Sequence, residues 1–188
     1  MQCIKDTIKN INIVIGCSIG CSYCYARMNN NRFHTIDDFN KPVFFENKLK
    51  MLDNKRHTAY LLTGQSDLSG WNEEWKDKVF SKMKENENTQ YIFLTKRPEN
   101  IKLKETPDNG WFGVTVTSSK EKTRIDYLRN NIKAKHYHIT FEPMFDDVGK
   151  LDLNNISWIV IGTETGNRKG KISSKREWVF NIYNQAKE

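Results

Sequence analysis

Six short β-rich runs recur along the chain, and no Pro-, Ser- or Gly-rich linker breaks the series. They are Ile11–Gly16, His57–Thr63, Gln90–Thr95, Trp111–Thr117, Lys135–Glu142 and Ser157–Thr163. Between them the spacing predicts helices. Asn40–Leu52 carries Phe44, Phe45, Leu49 and Leu52 near helical spacing, and Trp71–Lys84 places Trp71, Trp75, Val79, Phe80 and Met83 on one stripe. Arg97–Leu103 allows at most a short helix. Ser118 or Ser119 caps a helix over Lys120–Asn131, and Ser173 or Ser174 caps a last one running towards Glu188. Strands alternating with helices predict an α/β domain, residues 1–188, built on a parallel sheet with right-handed crossovers. Six such units either close incompletely into a partial barrel or stay open as a doubly wound sheet. Both put the working residues at the carboxyl ends of the strands.

Side-chain alternation favours the barrel. In the fifth run Tyr137, Ile139 and Phe141 share one face, while His136, His138, Thr140 and Glu142 share the other. In the fourth, Val114 and Val116 oppose Gly113, Thr115 and Thr117. A parallel strand packed on both sides is apolar on both. The polar rows therefore read as the lining of a cavity, with a wet face near an open sheet edge as the alternative.

Composition narrows the function classes. The apolar runs, such as Trp158–Ile161, are far too short to span a membrane, and the N-terminus shows no apolar signal segment. Of four cysteines, Cys17, Cys21 and Cys24 crowd into eight residues and Cys3 stands apart. A secreted disulfide framework spreads its cysteines, so this clustering suits a metal or cluster site in a reducing cytoplasm. The formal net charge of +7 points towards an anionic partner, although a general Lys and Asn bias would produce the same excess.

The chemistry concentrates in Gly16-Cys17-Ser-Ile-Gly20-Cys21-Ser-Tyr23-Cys24-Tyr25, directly after the first run. Thiolates at this spacing hold Zn²⁺ or an iron–sulfur cluster. A structural zinc site wants four ligands, usually as paired knuckles, and no second pair exists here. Three thiolates on a four-iron cube leave one iron without a protein ligand.

The Cys-x3-Cys-x-aromatic-Cys loop after the first strand resembles the defining motif of the radical S-adenosylmethionine (SAM) superfamily. The six βα units resemble its partial (βα)6 TIM-like barrel over nearly the whole chain. Further runs resemble a less characterised branch of small single-domain proteins from phages and mobile elements: Gly20–Arg27, Leu94-Thr-Lys96-Arg97-Pro-Glu99, Phe141-Glu142-Pro143 and Ile161-Gly162-Thr-Glu164-Thr-Gly166. The superfamily resemblance implies a [4Fe–4S] cluster on Cys17, Cys21 and Cys24. SAM is then chelated on the fourth iron, cleaved by one electron from a flavodoxin- or ferredoxin-like donor, and converted to a 5′-deoxyadenosyl radical that takes hydrogen from a substrate. It also implies that Tyr23 packs near the cluster and helps place the adenine. The SAM amino group would lie against Gly64, Gln65 and Asp67, where Thr63-Gly64-Gln65 stands in place of a Gly-Gly-Glu stretch and Asp67 is the nearest carboxylate. Thr115 and Thr117 would meet the ribose, and Lys96 or Arg97 the SAM carboxylate.

Other residues carry weaker expectations. His138 and Glu142 share a face and serve as acid, base or substrate holder, or bond each other as a lining pair. Cys3 reads as an inert terminal thiol, His34 and His57 as surface residues, and Trp71, Trp75 and Trp178 as helix core. Positive charge after the first, third and sixth runs (Arg27, Arg32, Lys96, Arg97, Arg168, Lys169, Lys171, Lys175, Arg176) suggests a nucleic acid or nucleotide substrate ahead of a peptide. Asp67, Glu73, Glu74, Asp146 and Asp147 near the same end, and Lys55, Arg56, Lys133 and Lys135 at the other, argue against it. Two rivals to an enzyme stand: a zinc-binding interaction module on the same cysteines, with Cys3 or a His, and a non-catalytic scaffold. A chain this small also leaves room for a protein partner or second copy to complete its cavity.

Overall fold

A computed structural model describes residues 7–54 and 58–187. Its elements are Ile8–Asn10 (β1), Val14–Ile15 (β2), Tyr25–Phe33 (α1), Val43–Phe44 (β3), Ala59–Leu61 (β4), Glu73–Lys84 (α2), Gln90–Thr95 (β5), Gly110–Thr115 (β6), Thr123–Asn131 (α3), His136–Phe141 (β7), Ile156–Ile161 (β8) and Arg176–Gln185 (α4). Six strands form one parallel sheet in the order β1-β4-β5-β6-β7-β8, curled into a half-barrel. That order follows the chain without reversal. A doubly wound sheet reverses at a switch point, so the partial barrel is the fold. No helix among the described residues is long and apolar enough to cross a membrane.

The alternation along β6 and β7 sorts the two faces as expected. Phe112, Val114, Ile139 and Phe141 are fully buried against the helices, as are Tyr91 and Phe93 of β5. Phe93 and Phe112 stack at 4.9 Å, and Phe80 of α2 meets their edges at 5.8 and 5.9 Å. Asn72 caps α2 by accepting from the Trp75 N–H at 2.9 Å. The helix buries Val79, Phe80 and Met83, each contributing roughly 1.5–3 kcal/mol. Trp71 lies just before the helix and packs edge-on against Phe93 at 5.8 Å. On the concave face Trp111 stacks on His136 at 4.4 Å, and His138 lies 5.3 Å from Trp158.

Several boundaries differ from the sequence reading. Ile11–Gly16 is not one strand of the sheet. The sheet strand is β1, and Val14–Ile15 leaves it to pair antiparallel with Val43–Phe44. That second pairing, with Pro42 before it, replaces the first half of the expected helix over Asn40–Leu52, leaving a 3-10 segment at Glu46–Asp53. α1 is additional. The crossovers β5 to β6 and β7 to β8 hold no α-helix, only a 3-10 turn at Pro98–Asn100 in the first. Pro98, Pro107 and Pro143 fall in these two connections, where a missing N–H forbids a helix interior. Neither Ser118 nor Ser119 caps a helix. Ser119 donates to Asp146 instead, at 2.7 Å from its N–H and 3.0 Å from its hydroxyl. Lys175 occupies the α4 cap position, and the Ser174 hydroxyl donates to the Met144 carbonyl at 3.0 Å. Cys3, Lys55, Arg56 and His57, and with His57 the expected start of the second strand, lie outside the described residues, as does Glu188.

Candidate active site

Gly16 follows β2 at φ +114°, and a Cβ there would stand 2.9 Å from the Pro42 Cα, so only glycine fits. Its N–H donates to the Gln65 carbonyl at 2.9 Å, and the next N–H, of Cys17, donates to the Phe39 carbonyl at 2.6 Å. Gly20, at φ +75°, turns the loop back. The Cys24 N–H donates to the Cys21 carbonyl at 3.1 Å, and the Cys24 sulfur caps α1 by accepting from the Arg27 N–H at 3.4 Å. Arg27 then donates from Nη2 to the Cys17 carbonyl at 2.7 Å, its guanidinium 5.0 Å from the Phe39 ring. The cysteine loop is thus tied to the β4 turn at one end and to α1 at the other.

A cavity of about 410 Å³ opens above it. Cys17, Cys21 and Cys24 form one side. Tyr23, Gly64, Gln65 and Asp67 continue the wall, and Lys96, Thr115 and Glu142 close the far side. These residues come from the loop after β2 and from the carboxyl ends of β4, β5, β6 and β7, and they meet in one place although Cys17 and Glu142 lie far apart in sequence.

Burial pushes the Cys17 thiol above its ordinary value, and the negative charges of Asp67, Cys21 and Cys24 add to this against one backbone N–H, that of Ile19. Burial, then Cys21, raises Tyr23. Burial, then Cys24 and Glu142, raises Tyr25, whose hydroxyl donates to the Gly64 carbonyl at 2.6 Å. A cationic centre would reverse the charge part of these shifts, since thiols give up protons on binding metal. Among the described residues no three His, Cys, Asp or Glu side chains are grouped as ligands of a single metal ion. A four-iron cube takes one thiolate per iron, so its ligands stand apart around a common space. Three cysteines lining one cavity fit that demand.

The carboxylate of Asp67 is largely spent inside the protein. Oδ1 accepts from the Ser69 N–H (3.0 Å) and hydroxyl (2.7 Å) and from the Thr95 hydroxyl (2.7 Å), and Oδ2 from the Lys96 N–H (2.8 Å). It therefore fixes the β4 turn against the end of β5 and sets the backbone of Lys96. The Gln65 amide and the Glu142 carboxylate make no hydrogen bond or ion pair among the described residues. Lys96 likewise has no acidic partner. Its Nζ lies 3.5 Å from the Thr115 hydroxyl and 5.7 Å from the Tyr23 ring. Glu142 stands over Gly162, where a Cβ would come within 2.6 Å of its Cδ.

Two expectations need correction. Thr117 does not line the cavity. Its N–H and hydroxyl both donate to Glu121 at 2.7 Å. His138 lies below the cavity, in the layer where its ring fills the space over Gly113, 2.4 Å from where a Cβ would stand. Its Nε2 donates to the Phe93 carbonyl at 3.0 Å and its Nδ1 is buried unpartnered, so it makes no pair with Glu142. Complete burial lowers its pKa to about 4 and keeps the ring neutral.

Glu164, absent from the expected site residues, also faces the cavity. Arg168 clasps it through Nε (2.5 Å) and Nη2 (2.8 Å), holding the Glu164 carboxyl below its ordinary value. The pair closes across the irregular loop after β8, through Gly166 at φ +83°, so no helical spacing signals it. Arg27 and Arg168 are therefore committed internally and not free to meet phosphates.

Over residues 2–188 the chain matches the family described as "Protein of unknown function (DUF5131)". It belongs to that family. No curated protein and no solved structure matches it significantly. The family description assigns no activity.

Proposed function

We propose that this DUF5131 member is a radical SAM enzyme whose cluster sits on Cys17, Cys21 and Cys24. The observation that carries this reading is the gathering of all three motif cysteines with an unpaired cation, Lys96, and an unpaired carboxylate, Glu142, in one cavity at the carboxyl ends of the strands. When bound, the cluster and SAM supply one-electron cleavage of a sulfonium C–S bond and hydrogen-atom abstraction. The chain's own residues hold and exclude. Lys96 offers a charged donor to the SAM carboxylate. Gly64 and Gln65 border the amino group, and Asp67 acts on it only by fixing that turn. Thr115 supplies a hydroxyl beside Lys96 for the carboxylate or the ribose. Tyr23, wedged edge-on against Phe145 at 5.4 Å, shields the cysteine loop from water. A flavodoxin- or ferredoxin-like protein is the expected electron donor. The substrate enters over the half-exposed Tyr25 and Met28 rim, which a partner protein or second copy would cover.

Anaerobic reconstitution with iron and sulfide tests this. The expected product is a brown protein that converts SAM to 5′-deoxyadenosine under strong reductant. Cys17→Ala, Cys21→Ala and Cys24→Ala each abolish both colour and product, while Cys3→Ala keeps them. A colourless protein holding one tightly bound zinc would overturn the reading in favour of an interaction module. A brown protein that never cleaves SAM would leave a scaffold.

A further inference from the structure

α4 has two unlike faces. One turns inward: Ile182 is fully buried, Trp178 and Val179 pack on the core, and Gln185 bonds Leu151 and Gly149. The other runs Arg176, Phe180 and Tyr183 and continues to Lys187 in the turn just past the helix, at spacings of four, three and four that keep one stripe. Phe180 and Tyr183 are 45% and 47% exposed, although the helix already buries its opposite side. Their rings meet edge to face at 6.3 Å. The Arg176 guanidinium lies 5.1 Å from the Phe180 ring and Lys187 Nζ 4.5 Å from the Tyr183 ring. One turn earlier Lys175 lies 5.5 Å from the Trp178 ring, with its nearest acid, Glu177, at 3.8 Å. Arg176 and Lys187 form no ion pair among the described residues. The stripe begins where the loop from Gly166 ends, and Thr165 and Gly166 line the active-site cavity.

We propose that this stripe binds single-stranded nucleic acid and leads it towards the cavity. Exposed rings offer stacking platforms that any unpaired base can use, and interleaved unpaired cations meet the phosphates between them. A duplex hides its bases and gains only the cationic part. The chain's net charge of +7 favours such a polyanion over an acidic-neutral protein surface. With Arg168 held by Glu164, the charge available to phosphate lies along α4 and Lys169 rather than at the head of the loop. The stripe deepens the proposed function by naming a substrate class, yet its binding needs neither cluster nor SAM, so the two readings fail separately.

The test is fluorescence anisotropy of the full-length protein with labelled oligo(dT), oligo(U) and a mixed-sequence duplex across a salt series. The expected result is tighter binding to the single strands, weakening with salt. Phe180→Ala with Tyr183→Ala lowers single-strand affinity about tenfold or more and leaves the salt slope unchanged. Phe180→Trp with Tyr183→Trp restores it. Arg176→Gln with Lys187→Gln flattens the slope by roughly 1.4, about 0.7 per phosphate released. No binding at low salt, preference for the duplex, or a double alanine variant that binds like the parent overturns the proposal. So does a concentration-dependent dimer that the alanine pair dissolves, which assigns the stripe to a second copy.

Discussion

The half-barrel has a hollow at each end, and the two differ in how their polar groups are used. Below, at the amino ends of β5, β6 and β7, a groove of about 510 Å³ is lined by Gln90, Asp108, Asn109, Lys135 and His136 among others. Its central polar groups are spoken for. Gln90 Oε1 accepts from Trp111 Nε1 at 2.8 Å. Asn109 Nδ2 donates to three carbonyls, of Met83, Asn86 and Thr89, at 3.0 to 3.1 Å. Lys135 faces Asp108 at 3.4 Å. Above, the cavity of about 410 Å³ is lined by Lys96 and Glu142, neither in an ion pair among the described residues, and by the three thiols. Lys84 and Glu87 on the lower groove are exposed, whereas Lys96 is half-buried, and a cation so placed costs folding free energy unless a ligand meets it. In parallel barrels the amino end serves stability and the carboxyl end chemistry.

The layer between the two hollows gives the largest test. His138 titrates near 6.5 when unfolded and at about 4 when folded, so between those values the unfolded chain binds the extra proton. Its neutral burial is fully favourable above pH 6.5, and stability falls as pH drops towards 4, by about 3 kcal/mol in all. Urea unfolding of the wild type and of His138→Gln across that window should show the wild type losing this increment and the variant not. Equal slopes would mean a wet layer joining the hollows and would break the comparison. Next comes Lys96→Met. Losing a charged hydrogen bond should cut SAM affinity about tenfold or more, while the thermal midpoint holds or rises because an unpaired cation has left a partly buried place. A fall in stability instead would make Lys96 structural. The smallest effect belongs below. Lys135 and Asp108 are 58% and 86% exposed, so Asp108→Asn should cost under about 1 kcal/mol and leave SAM affinity untouched.

Periodicity carried the sheet. Inner and outer residues of β6 and β7 were legible because alternation fixes the face of every side chain. It does not fix height. His138 and Glu142 share a face, but the first lies two residues below Thr140 and the second two above, and only the second reaches the cavity. Thr117 failed for the same reason, lying beyond the end of β6, where Glu121 draws its hydroxyl away. α1 was invisible because Tyr-Ala-Arg-Met-Asn-Asn-Asn-Arg-Phe buries only Ala26 and Asn30 and leaves no apolar stripe. Its surviving signals are local: the Cys24 cap and His34 in the left-handed region, whose N–H donates to the Asn30 carbonyl. Lys96 and Tyr23 were legible through the motifs that contain them. Glu164 also sat in a motif, Ile161–Gly166, but drew no site role, because its partner Arg168 read as one more basic residue in a basic stretch.

The seam beneath the cysteine loop has a consequence of its own. β1 and β4 are joined through three residue pairs, whereas β5, β6, β7 and β8 are joined through five at each step. Local opening follows such differences, with short-paired regions exchanging amide protons well before the rest of a domain. The wall carrying Lys96, Thr115 and Glu142 is therefore the durable side of the cavity, and the side carrying the three thiols is the one that breathes. On the proposed reading, a cluster built there would fill the more weakly paired half of the mould while the other half stays set, and would then staple the weak edge.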